Sequence, residues 1–195
     1  MTYSIRFQRP VILVLLALTA LSLGVANTNS RQHGQPAKSI FHKIYDEDQK
    51  NRNDSEGDAR RRAQVRQLIA DDKLQSGEDY YYAAFIFQHG QKPEDYLYAH
   101  VLATTALGKG FAPAKWLSAA TLDRYLRSIE QPQIFGTQFG RGPADDDMSP
   151  YDKDMLSDKI RKTWCVTSYA EQMKIIENLR AGKEFTSTRI CPIPD

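Results

Sequence analysis

The segment Glu78-Asp79-Tyr-Tyr-Tyr-Ala-Ala-Phe-Ile-Phe87 is apolar almost all round, and Gly90 stands where a helix can end through a left-handed residue. A helix with so little polar face must be surrounded by others. Candidates follow directly. Pro93-Glu94-Asp95 puts proline and two acids in a first turn, and Ala99, Leu102, Ala103 and Ala106 repeat at i, i+3, i+4, i+7 before Gly108 and Gly110. A third helix starts near Pro113, with Ala114, Leu117, Thr121 and Tyr125 on one side and Trp116, Ala119, Ala120 and Leu122 leaving little of the rest polar. Upstream, Ser39 caps a helix striped by Ile40, Phe41, Ile44 and Tyr45 that runs to about Asn53. A sparser surface helix is expected from Asp58 to Lys73. Downstream, Asp152 to Trp164 and Ser168 to Leu179 read as helices, and 131–139 is the one β-leaning stretch. The expected fold is all-α, built of αα-hairpins, with at most one short β-hairpin near 133–139.

Ahead of this domain, Arg6 and Arg9 precede the apolar run Val11 to Leu23, and Gly24-Val25-Ala26 places small residues at a cut after Ala26. Basic start, apolar stretch and small residues in that order describe a secretory signal peptide over 1–26. The run is too short to span a bilayer, which needs about 20 apolar residues, so no permanent span is expected after cleavage. The polar, aperiodic residues 27–38 read as a flexible linker, and 39–195 as one helical domain. The expected location is the periplasm or outside the cell.

Lysine and arginine number 26 against 24 acids, and Arg6 and Arg9 account for the whole excess. The mature chain has no field to gather polyanions, so a nucleic-acid partner is not expected. Export changes the reading of Cys165 and Cys191, the only two cysteines. In an oxidising compartment they can close one disulfide.

Enzyme signatures are absent: no Walker loop, dinucleotide-binding glycine pattern, Gly-x-Ser-x-Gly elbow or His-Glu-x-x-His occurs. His42 with Asp46 and Tyr96 with His100 fall at i, i+4, a spacing common by chance, and no metal or other cofactor is expected. Gly136 to Gly142 could face an anion with its N–H groups, but Asp145, Asp146 and Asp147 follow at once and favour a plain loop. Arg60-Arg61-Arg62 and Arg66 lie between acids on both sides, which describes a solvated, ion-paired helix face.

What stands out is polarity inside apolar pattern. Asp123 and Arg124 sit within Trp116 to Leu126, with Arg124 falling between Leu117 and Ala120 on a helical wheel, and Gln88-His89 ends the most apolar helix. Burying such groups costs several kcal/mol unless each is paired, so a core network or a lined pocket is implied. The patterns Asp48-Gln49, Gln88-His89, Asp123-Arg124 and Pro132-Gln133-Ile-Phe-Gly136-Thr137-Gln138, in that order, resemble a family of uncharacterised bacterial proteins, a domain of unknown function, over about 40–180. That resemblance implies a set of positions and no chemistry. Residues 80–120 also resemble one Sel-one-like helical repeat, through Ala84, Gly90, Asp95, Ala99, Ala106, Gly110, Ala114 and Leu117.

Three functions fit. The first is a binding module whose Gln88, His89, Asp123, Arg124, Gln133, Thr137 and Gln138 line a polar pocket for a small ligand or a peptide end. The second is a hydrolase with His89 as general base oriented by Asp123. In the third, the dyads only pin helices together, and the function lies on a surface that binds another envelope protein.

Overall fold

The computed structural model describes residues 38–51, 53–140, 148–184 and 186–192, which fall within one compact unit, Ala37–Asp195. The leader and nearly all of the expected linker lie outside the described residues, as do Asp145, Asp146 and Asp147. Among the described residues the chain forms helices α1 (Ile40–Lys50), α2 (Ser55–Ala70), α3 (Gly77–Gln88), α4 (Pro93–Gly108), α5 (Ala114–Ser128), α6 (Asp158–Thr163) and α7 (Tyr169–Arg180), and no strand. The fold is all-α. Residues 133–139 carry only an isolated parallel bridge, Gln133 to Tyr151. No helix of the described residues is long and apolar enough to cross a membrane.

The starts follow from local chemistry. Ser39 accepts from the His42 N–H, and Asp54 accepts from Gly57, which moves the start of α2 ahead of the expected Asp58. Ser76 with Asp79 and Ser168 with Glu171 form reciprocal capping boxes on α3 and α7. Burial works to raise the Asp79 carboxyl, but hydrogen bonds from the Ser76 and Gln75 N–H groups and the Ser76 hydroxyl hold it below the usual carboxylate range.

One helix is shorter than its pattern. The expected Asp152–Trp164 helix forms only from Asp158, because the buried Arg161 donates to the carbonyls of Leu156 and Lys153. Those two carbonyls face a side chain instead of a helical turn. Ser157 then caps what remains.

α3 is the hub: α1, α2, α4 and α5 all pack on it. Its residues Tyr81 to Phe87 join Phe41, Ile44, Val65, Leu102, Ala103 and Leu117 in the main core. The alanines of α4 let the helix lie close against its neighbours. A smaller cluster of Ala119, Phe135 and Val166, covered by Trp116, Leu122 and Trp164, forms beyond α5. Trp116 packs on both.

The carboxy-terminal segment returns across the molecule. Thr167 N donates to Thr188 O and Ile190 N to Cys165 O, both at 2.9 Å, and Cys165 and Cys191 are joined, their Cα atoms 5.3 Å apart. The Arg189 guanidinium reaches the Tyr81 hydroxyl and the carbonyls of Pro113, Cys191 and Pro192. The bridge is therefore not the only clamp on the tail.

Candidate functional site

Asp123 lies on the inner face of α5, fully buried. Its carboxylate accepts four hydrogen bonds: Ile134 N at 2.9 Å and Phe135 N at 3.0 Å on one oxygen, Thr137 N at 2.9 Å and the Thr137 hydroxyl at 2.7 Å on the other. Burial pushes this carboxyl above the usual range, against the four donors, which favour the charged form. The loop is wrapped around one side chain.

Neighbouring amides complete the wrapping. The Gln133 amide donates to the carbonyls of Gln138 and Met148 and accepts from Gln138 N at 3.0 Å. Gln172 donates from α7 to Phe135 O at 2.8 Å and to Thr167 O at 3.2 Å. Gly136 makes this approach possible. Its φ is +78°, and a Cβ there would stand 2.4 Å from the Gln172 Oε1. Gly136→Ala is therefore expected to lower stability by about 2 kcal/mol or more, from left-handed strain plus displacement of Gln172. A urea unfolding midpoint equal to that of the parent protein would contradict the packing described.

Arg124, next along α5, is only half-buried, unlike its place on the helical wheel; Asp123 takes the interior position. Its Nε donates to the Gln138 Oε1 at 3.1 Å and its Nη1 to the Gln88 carbonyl at 2.6 Å. Gln138 in turn donates to Ala120 O and to the Thr137 hydroxyl, both at 3.1 Å. Arg124 thus ties the loop to the carboxy-terminal end of α3.

There the second half of the constellation begins. His89 Nδ1 lies 2.9 Å from the Asp48 carboxylate, and Gln49 donates to the same oxygen. On its other oxygen Asp48 meets Arg61 Nε at 3.3 Å, and Arg61 also donates to Asp58. Burial works against the Arg61 charge, but the hydrogen bond to Asp58 and the charges of Asp48, Asp58 and Glu47 raise its pKa above its ordinary value. Arg62 donates to the His89 carbonyl at 2.9 Å. The expectation of a solvated face fails at Arg61, which is 3% exposed, because α1 supplies a buried acid opposite it.

The seven residues picked from the sequence therefore divide. Asp123, Gln133, Thr137 and Gln138 spend their hydrogen bonds on the loop and on α5, while His89 pairs with Asp48 and not with Asp123. An Asp123-oriented His89 is thus corrected to an Asp48-oriented one: all four donors to Asp123 come from 134–137. Asp58 and Arg61 were missed because only tertiary packing joins them to His89. Of the i, i+4 pairs, His42 Nε2 lies 3.6 Å from the Asp46 carboxylate while its ring stacks on Tyr82 with centroids 4.3 Å apart. His100 Nδ1 donates to Ser118 O at 2.9 Å, away from Tyr96, whose hydroxyl donates to the Gly90 carbonyl.

All four motif segments belong to one chain of contacts. It runs from Gln49 and Asp48 through His89 and Gln88 O to Arg124, Gln138, Thr137 and Asp123. In comparisons with protein-family models, curated proteins and solved structures, the chain matches none. Two cavities lined by described residues lie elsewhere, one of about 430 Å³ beside Leu107 and Trp164, the other of about 260 Å³ beside Tyr151 and Tyr169.

Proposed function

We propose that the protein is an exported binding module that takes the carboxylate or amide of a small ligand or peptide end at the carboxy-terminal end of α3. One observation carries this reading. Of the seven residues, Gln88 and His89 are the adjacent pair whose side chains keep capacity: the Gln88 amide makes no hydrogen bond to a described residue, and His89 Nε2 is left over once Nδ1 is held by Asp48. An amide and an imidazole side by side suit a planar acceptor–donor partner. Arg124 fixes the backbone beneath them, and the Asp123 loop fixes Arg124. The leader pattern and the joined cysteines support a periplasmic or secreted location, where such a ligand could equally be the end of an envelope protein.

The experiment is an NMR titration of imidazole-labelled protein with free and amino-acetylated dipeptides. His89 Nε2 is expected to shift with saturation while His100 stays fixed, and Gln88→Ala should weaken the response at least about tenfold, the loss of a buried polar contact. Silence of His89 across the panel, or a response indifferent to Gln88→Ala, would sink the proposal.

A hydrolytic reading has one observation in its favour, the 2.9 Å contact that orients His89 through Nδ1. It needs turnover of an ester or peptide panel that Asp48→Asn abolishes. Turnover indifferent to that change would remove the dyad from the chemistry.

A further inference from the structure

Three helices bring Asp48 from α1, Asp58 from α2 and His89 from the end of α3 to one point, where one donor atom of each lies within 4.8 Å of the others. Asp48 is 1% exposed and the other two are partly buried. Two carboxylates and an imidazole on three separate, rigid elements form a donor set that divalent transition ions favour.

We propose that Asp48, Asp58 and His89 bind a divalent transition cation, with Zn²⁺ the best match, and that Arg61 occupies its place when the cation is absent. Arg61 now supplies the positive charge, meeting Asp48 through Nε and Asp58 through Nη2. It also has somewhere to go. Glu47, largely exposed, lies 3.7 Å from Arg61 Nη1, so the guanidinium can turn to Glu47 while the cation takes over both aspartates. The exchange brings the cluster to neutrality: the three carboxylates now share the single charge of Arg61, whereas with the cation bound the dication balances Asp48 and Asp58 and Arg61 balances Glu47. The proton now on His89 Nδ1 moves to Nε2 as Nδ1 becomes a ligand, so a neutral imidazole keeps one N–H. Three protein donors leave a fourth position open.

The inference extends the reading of the same site above, since an open position would receive the ligand's carboxylate. It is tested with the cation alone, so that either can fail without the other.

Zn²⁺ and Mn²⁺ are titrated separately, by calorimetry, into the purified, tag-free protein after treatment with EDTA. One Zn²⁺ per chain is expected at low micromolar affinity or tighter, with Mn²⁺ weaker. Asp58→Asn, at a partly exposed position that leaves the helix cap of α2 intact, should weaken Zn²⁺ at least about 100-fold, as loss of a direct ligand exceeds the loss of an outer partner. Arg61→Gln should tighten it about tenfold by removing the competing charge. Circular dichroism checks that each variant is folded, and His42→Gln should leave binding unchanged. Absence of heat with both ions at millimolar concentration, or stoichiometric binding that survives Asp58→Asn or is lost in His42→Gln, overturns the assignment. So does a folded Arg61→Gln variant that binds Zn²⁺ more weakly than the parent.

Discussion

Replacing Asp123 by alanine is expected to lower stability by about 5 kcal/mol, because each of the buried donors left without an acceptor costs about 1–3 kcal/mol. Three are backbone N–H groups, of Ile134, Phe135 and Thr137, which no side-chain rearrangement can remove. Asp123→Asn is the sharper test. It keeps the shape but turns one oxygen into an NH₂ that must face either the Ile134 and Phe135 pair or the two donors of Thr137. We expect a loss of about 3 kcal/mol from the clash of donors and the unsatisfied groups. Thr137→Val, which removes one hydroxyl, should cost only about 1 kcal/mol. Chemical unfolding of the three variants measures the series. An Asp123→Asn protein as stable as its parent would mean that the carboxylate does not hold the loop, and a stability restored by added dipeptides would move Asp123 from scaffold to ligand contact.

The helices were legible where side-chain period and capping agreed. Ser39 and Ser168 sit at the starts of α1 and α7, where a capping hydroxyl and the apolar spacing point the same way, with Glu171 adding an acid on α7. They were misplaced where a distant partner overrode the local pattern. Arg161 takes two carbonyls and unwinds the first half of its expected helix, and nothing in the sequence near 152–157 announces that. Arg61 shows the same limit on the functional side. Among neighbouring arginines and acids it reads as solvated, and only the packing of α1 on α2 and α3 places Asp48 against it and buries both.

The polar dyads were the most informative feature, since charge inside an apolar stripe must be satisfied by something. Sequence alone named the residues but could not pair them. Asp123 and His89 are both anomalies of the same kind, yet each finds a different partner: one a loop fourteen residues downstream at Thr137, the other an acid on the first helix. Pairing is a property of topology: the turn at Gly136 brings successive N–H groups to the Asp123 carboxylate, while the packing of α1 on α3 brings Asp48 to His89.

Removing the bridge by Cys165→Ser with Cys191→Ser is expected to cost about 3 kcal/mol, the chain-entropy value for a closed loop of this order. The sequence separation is 26. That is a large share of the margin of a small domain. The tail is nonetheless not expected to detach, because Arg189 still holds the Tyr81 hydroxyl and the Pro113 carbonyl, and Trp116 donates to the Thr188 hydroxyl at 3.1 Å. The two clamps should therefore act in parallel on one segment, each holding it when the other is lost. Arg189→Ala in the bridged protein should cost less than the double serine variant, since the covalent link keeps the segment near its seat. The two changes combined should cost more than the sum of their separate costs, a coupling measurable by a double-mutant cycle in urea. Protein from an oxidising compartment should show no thiol reactive to alkylation after denaturation, and reduction should lower its melting temperature. Two reactive thiols in protein from such a compartment would remove the bridge from the account, and strict additivity in the cycle would mean that Arg189 and the disulfide secure the tail independently.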